Sequence, residues 1–184
     1  MTPVVSIIIP ALNEEDTIGS CLEKVKAGCL KENISYEIIV ADSSTDATPE
    51  IAREHGARVI KPKKRGYGNA YLSAFSHAHG EIIVIGDADD TYDFSIIPEL
   101  IQPIIRGKAD LVIGSRLKGE ILPNSMPWLH QYIGNPLLTR LLNFTFHSRF
   151  SDTHSGMRAI SKEALGRLQL HTGGMEFASE MLIE

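Results

Sequence analysis

Cysteine is scarce in this chain. Cys21 and Cys29 are the only two, and both fall within one expected helix. Eight residues of helix separate them by about 12 Å at 1.5 Å per residue, beyond the reach of a disulfide. With no third cysteine to pair with either, a reducing cytosol is the simplest setting. Long apolar runs are also missing, and none approaches the ~18 residues needed to span a bilayer. No basic leader precedes the first expected strand, so no signal peptide is visible. Positive charge is not in surplus. A net charge of −5 and a pI near 5.8 argue against a general nucleic-acid binder. Lys61, Lys63, Lys64 and Arg65 nonetheless form a local basic patch. Internal repeats, low-complexity segments and clear linkers are absent. The remainder is an ordinary composition, 43% hydrophobic and 22% charged over 184 residues, enough for one domain with a real core.

Apolar runs alternate with helical patterns along the first two thirds of the chain. Strands are expected over residues 4–10, 36–42, 57–61, 81–86 and 109–115, and helices over about 15–30, 45–55, 66–79 and 95–106. Asn13 to Asp16, and Ser44 or Thr45, supply cap chemistry for the first two helices. The alternation predicts an α/β fold with a largely parallel sheet and right-handed crossovers. Ligands of such sheets bind beyond the carboxyl ends of the strands. Polar residues collect at all five of those ends: Asn13 and Glu14, Asp42 and Ser43, the Lys–Arg–Gly loop, the aspartates after residue 86, and Ser115 with Arg116. Residues 117–135 read as irregular, 136–147 as an apolar helix, and SDTHSGMR, 151–158, as a polar loop. The final EFASEMLIE opens an amphipathic helix without a cap, so the natural protein is expected to continue beyond residue 184.

The run EIIVIGDADDTYD, residues 81–93, carries the most chemistry. A strand buried on both faces ends in Asp87, Asp89, Asp90 and Asp93. Carboxylates this close repel one another, so a cation is expected there. A divalent metal carrying a phosphorylated ligand fits, because hard cations choose oxygen. The bland alternative is an acidic surface turn. DADDT also fits the D-x-D-x-T of haloacid-dehalogenase-like phosphatases, in which the first aspartate attacks phosphorus. That reading lacks its later acidic pair, and Lys162 only begins a helix. Asp42 can accept hydrogen bonds from a base or ribose. Gly66 and Gly68 resemble a phosphate or base cradle, although Tyr71 breaks G-x-G-x-x-G. Arg116 and Arg158 are candidate phosphate forks. A lone loop histidine such as His154 is more often structural, and no zinc set forms around it.

Taken together these segments resemble the family-2 inverting glycosyltransferases of the GT-A fold. IIIPALNEE resembles the opening P-x-x-N-E segment, VADSSTDAT the V-D-D-x-S-x-D-x-T segment, KKRGYGNA the R-x-x-G-x-x-x-A segment and GDADD the D-x-D. SRLKGE and SDTHSGMRAISKEAL resemble the polyprenyl- or dolichyl-phosphate hexosyltransferase branch. Ser43 departs from the usual acidic pair, and Ala11-Leu12 stands where an aromatic often sits.

The resemblance implies a Rossmann-like three-layer α/β/α catalytic domain over 1–184. Its nucleotide part would cover about 1–93 and its acceptor side about 94–184. Pro10, Asn13, Glu14, Asp42, Ser44, Arg65, Gly66, Asp87 and Ala88 would bind a nucleotide-sugar. Asp89, with Asp87, would hold Mg²⁺ or Mn²⁺. Arg116 and Arg158 would hold the acceptor phosphate, and Asp152 would lie at the reacting sugar. The implied reaction moves a hexose, from a UDP-glucose or GDP-mannose type of donor, to a polyprenyl phosphate at the cytoplasmic membrane surface. A hydroxyl acceptor in cell-surface polysaccharide synthesis is the alternative. A phosphatase and a non-catalytic nucleotide-sugar-binding module are the other classes considered.

Overall fold

The computed structural model describes residues 4–114 and 155–184. In chain order the elements are β1 (Val5–Ala11), α1 (Ile18–Lys31), β2 (Tyr36–Asp42), α2 (Thr48–Glu54), β3 (Arg58–Ile60), α3 (Tyr67–Phe75) and β4 (Ile82–Ile85). A 3₁₀ turn at Phe94–Ile96 runs into α4 (Ile97–Ile105), and β5 (Leu111–Ile113) follows. After residue 154 come β6 (Arg158–Ser161), α5 (Lys162–Leu165) and α6 (Phe177–Ile183). The strand order is β3-β2-β1-β4-β6-β5.

β1 to β4 pair in parallel, as their unbroken apolar runs predict. Period-two alternation splits them between two layers. Ile7 and Ile9 face α1, α2 and α4, with Leu22, Val25 and Ile101 in the same cluster. Ile8, Ile39 and Ile85 face α3 and α6, with Tyr71, Ala74 and Phe177. Each isoleucine taken wholly out of water contributes roughly 1.5–3 kcal/mol, so a polar residue at Ile7 or Ile8 would be strongly disruptive. The result is a three-layer α/β/α arrangement. The chain passes from β1 through α1 to β2 on one side, whereas β4, reached through α3 on the opposite face, pairs on the other side of β1. The strand order therefore reverses at the β1–β4 boundary, where α/β sheets open a crevice for ligands.

One element differs from expectation. The segment ending at Arg158 is expected to be loop, yet Arg158 begins β6, which inserts antiparallel between β4 and β5. Four residues containing an arginine carry little strand signal; what fixes β6 is pairing with Ile82–Ile85, a tertiary effect. The caps differ too. α1 begins after Thr17 and α2 after Ala47, neither with a side-chain cap. Ser44 and Thr45 are engaged elsewhere, as described below. Ser115, Arg116, Asp152, His154 and the helix expected over 136–147 lie outside the described residues. Among the described residues no helix is long and apolar enough to cross a membrane.

Candidate active site

The loops after β1 and β2 are tied to each other. Asn13, at φ +59°, donates its N–H to Ser44 Oγ at 2.8 Å. Its side-chain Oδ1 accepts from the Thr45 amide at 2.9 Å. Glu14 N–H donates to Thr48 Oγ1 at 2.8 Å, and the Thr48 hydroxyl donates to Asp46 Oδ1 at 2.6 Å. Asn tolerates the left-handed region better than most residues, and its short amide bonds locally. The N-E and S-x-D-x-T segments therefore serve first as a clamp that fixes the rim of the crevice. Thr48 is fully buried, which suits a clamp rather than a ligand contact.

The four aspartates after β4 have four environments. Asp87 is half-buried; its Oδ1 accepts from the Tyr67 hydroxyl at 2.8 Å. Asp89 is exposed, and its Oδ1 accepts the Thr91 amide at 3.0 Å. Asp90, at φ +61°, pairs with Lys24 at 2.7 Å and accepts from Ser20 at 3.2 Å. Burial alone would raise the Asp90 carboxyl, but Lys24 and Ser20 outweigh it and hold it below the usual range. Asp93 accepts from the Ser95 amide at 2.9 Å and caps the 3₁₀ turn. Ala88 is buried, and its carbonyl accepts from the Cys21 thiol at 3.4 Å.

The glycines at the start of α3 are explained by packing. A Cβ on Gly66 would lie 2.3 Å from Gly173 O, and one on Gly68 2.2 Å from Thr172 O. Gly66 also has φ +134°. The amides of Gly68 and Asn69 donate to the carbonyls of Gly174 and Gly173, at 3.2 and 3.1 Å. Those N–H groups are the ones a phosphate would seek at a helix N-terminus, and they are already occupied. The expected phosphate cradle is thus a seat for the 172–174 backbone. Glu180 holds that segment, accepting from the Thr172 hydroxyl at 2.6 Å and the His171 amide at 2.9 Å.

A cavity of about 810 Å³ opens at the β1–β4 boundary. Pro10 and Glu14, Arg65 to Tyr67, Asp87 to Asp89, Gly156, and Met175 with Ser179 line it. A second cavity of about 560 Å³ adjoins it, lined by Asp42, Ser44, Lys61 and Lys63. Ser43 and Arg65 belong to both. Of the expected donor-binding residues, Pro10, Glu14, Arg65, Gly66, Asp87 and Ala88 meet in the first cavity, and Asp42, Ser44 and Arg65 in the second. Asn13 lines neither.

Arg158 is 1% exposed. Its Nε donates to Ser155 O at 3.0 Å and its Nη1 to Ala178 O at 2.7 Å. Burial lowers its pKa, and Tyr67, Tyr71, Tyr92 and Asp87 offset this only in part. A guanidinium so placed is part of the wall joining β6 to α6, and not the open phosphate fork expected from its polar setting. Tyr67 lies beside it. Burial and then the Asp87 charge push its phenol well above the ordinary value, so the hydroxyl remains a donor at neutral pH.

Tyr67, Tyr92, Gly156 and the α6 residues are site elements that sequence reasoning passed over. Tyr67 had a signal, being flanked by the two glycines of GYG. Gly156 had none, because its role depends on β6 pairing with β4. For a cation, no trio of His, Cys, Asp or Glu gathers among the described residues. The donor set is instead two carboxylates at one cavity. Asp89 is exposed and keeps one oxygen without a hydrogen bond among the described residues. Mg²⁺ or Mn²⁺ held by one or two carboxylates, with phosphate oxygens and water completing the shell, fits this pair.

Comparison with known proteins identifies the family. The model for the family described as glycosyl transferase family 2 matches residues 6–169. A low-salt glycan biosynthesis hexosyltransferase of Haloferax volcanii is 52% identical over 184 residues, covering 100% of this chain and 45% of that protein. A dolichyl-phosphate hexose transferase of the same organism is 34% identical, covering 97% of this chain and 75% of that protein. Glucosyl-3-phosphoglycerate synthase of Mycobacterium tuberculosis, solved with Mn²⁺, UDP and phosphoglyceric acid, superposes with a TM-score of 0.67 at 28% identity. That match covers 90% of this chain and 58% of the synthase. The chain therefore spans about half the length of some of the relatives it matches.

Proposed function

The chain belongs to glycosyl transferase family 2, and we propose that it moves a hexose from a nucleotide-diphospho-sugar to a polyprenyl phosphate, with inversion. One observation carries the donor half of this reading. Asp87, Asp89, Glu14 and Arg65 converge on a single cavity at the strand-order reversal. The dolichyl-phosphate hexose transferase relative supports the acceptor half. In the transfer, an acceptor oxygen bonds to the anomeric carbon as the bond to the β-phosphate oxygen breaks, and the electron pair leaves with the diphosphate.

Asp42, buried at the end of β2, would receive the base or ribose in the second cavity. Arg65 is exposed where the cavities meet and would bridge to the phosphates. Asp89, with Asp87, would hold the divalent cation, which when bound neutralises charge developing on the departing diphosphate. A phosphate acceptor is already ionised near neutral pH, so no strong base is required. In this reading Asp152 orients the reacting groups and Arg116 holds the acceptor phosphate.

The phosphoglyceric acid bound in the superposed synthase bears a hydroxyl and is not a lipid, which supports a second reading, transfer to a hydroxyl, in which Asp152 acts as base. A thermal-shift screen of UDP-, GDP- and dTDP-sugars with Mn²⁺ or Mg²⁺ tests the donor. Turnover with a polyprenyl phosphate tests the acceptor. Absence of any nucleotide-dependent shift would refute the donor reading. Asp152→Asn should leave substantial transfer to a phosphate and abolish transfer to a hydroxyl.

A further inference from the structure

Tyr67 is the first residue of α3, lines the large cavity, and donates its hydroxyl to Asp87 Oδ1 at 2.8 Å. The ring has little freedom to leave. It packs edge-on against Tyr71, centroids 5.1 Å apart at 82°, and against Phe177 at 6.4 Å and 70°. The backbone on its C-terminal side is pinned where Gly68 and Asn69 donate to Gly174 and Gly173. Asp87 is confined from its other side as well. A Cβ on Gly156 would lie 2.4 Å from Asp87 Oδ2, so bare backbone packs against that oxygen. Gly156 is in turn held by its own N–H, which donates to the Tyr92 hydroxyl at 2.7 Å. One carboxylate oxygen thus meets a hydroxyl and the other meets close-packed backbone. The carboxylate torsion of an aspartate is otherwise broad, so these contacts select one orientation from many.

We propose that Tyr67 is a positioning residue of the donor site, acting through Asp87 by fixing the carboxylate in the orientation that receives the nucleotide diphosphate. The proposal rests on the reading of this cavity as the donor site. Phenylalanine would keep the ring contacts and remove only the hydroxyl, which makes the role separable from packing.

The test uses wild type, Tyr67→Phe, Asp87→Ala and the double variant, titrated calorimetrically with UDP and with GDP, each with Mn²⁺. Tyr67→Phe should weaken binding of whichever nucleotide the wild type takes by roughly tenfold, the lower end of what a hydrogen bond to a charged group is worth. Its melting temperature should fall by no more than about 3–6 °C, the loss of that one hydrogen bond in a chain of this length. Asp87→Ala should weaken binding at least as much, and Tyr67→Phe should add nothing to that loss in the double variant, because the contact with the Tyr71 hydroxyl at 3.5 Å does not reach the nucleotide and the hydroxyl acts on the donor site through Asp87. Additive losses, or wild-type affinity in Tyr67→Phe, overturn the positioning role and leave the donor site standing. Unchanged affinity in Asp87→Ala, or no nucleotide binding by wild type, overturns the donor-site reading and this proposal with it.

Discussion

Replacing Gly68 by alanine separates two explanations of the glycines at the start of α3. If they cradle a phosphate, Gly68→Ala should leave the unliganded protein intact and weaken nucleotide binding. If they seat the 172–174 backbone, the unliganded protein should suffer. The new Cβ would meet Thr172 O at 2.2 Å and the Phe177 Cβ at 2.9 Å, backbone and a packed ring stem that cannot simply swing away. Overpacking of this kind costs about 1–3 kcal/mol. Moving the segment also breaks the Gly68–Gly174 and Asn69–Gly173 hydrogen bonds, about 1 kcal/mol each. Alanine returns about 1 kcal/mol through its better helix propensity. The net loss is roughly 2–4 kcal/mol, or on the order of 10 °C for a chain of this length. Differential scanning fluorimetry without ligand measures it. A melting temperature equal to or above wild type would refute the seat and restore the cradle. The control is Gly56→Ala, where a Cβ meets nothing within 4 Å; its φ of +78° gives a smaller loss, from backbone strain alone.

Three other outcomes follow from the same coordinates. Glu37 gathers Ser6 Oγ and the His79 amide, both at 2.6 Å, with Arg58 at 2.9 Å and the His79 ring at 3.3 Å. Burial would raise its carboxyl, but these donors hold it below the usual 4.5; a depressed folded pKa means stability present above about 4.5 and lost as pH falls through the lower folded value. Glu37→Gln should therefore cost about 1–3 kcal/mol at pH 7 and progressively less in acid, and a loss independent of pH in urea melts would sink the assignment. Gly156→Ala should push Asp87 out of place and abolish nucleotide-dependent thermal shifts, since its Cβ would overlap Asp87 Oδ2 and crowd Tyr92; retained shifts would show that the contact yields. Cys21 and Cys29 are free and buried, with burial pushing their thiols up to about 12 and about 11; both should resist iodoacetamide until the protein unfolds, and labelling of either in native buffer counts against the packing of α1.

Much of the architecture was legible because parallel strands buried on both faces write themselves as unbroken apolar runs, as in SIIIP and EIIVI. The polar turn after each run then points to the ligand edge. β6 was not legible, because RAIS becomes a strand only through pairing with β4. Arg158 was misplaced for the same reason: its polar neighbours suggest a surface loop, and strand pairing buries it against α6. Asn13, Ser44 and Thr48 show a different limit. Their residue types fit both a ligand contact and a loop clamp, and only coordinates reveal that their hydrogen bonds go mainly to each other's loops. Gly66 and Gly68 show it again, since a glycine marks a close approach without saying to what.

The aspartate run after β4 shows how the fold resolves an electrostatic conflict. Four carboxylates within seven residues would repel strongly if they faced one another. The backbone disperses them. A left-handed residue at Asp90 turns its carboxylate to Lys24 on α1, on one face of the sheet, while Asp87 meets Tyr67 from α3, on the other. Asp93 is spent on the 3₁₀ turn. Lys24–Asp90 is about one-third exposed on both sides, so it contributes at most about 1 kcal/mol; its larger effect is to remove one negative charge from the mouth of the cavity. Asp89 is left exposed on the cavity wall, with no cationic side chain paired to it among the described residues. This uneven treatment of neighbouring carboxylates suits a cation-carrying ligand, because the attraction that would hold it is largest where the described residues supply no counter-charge.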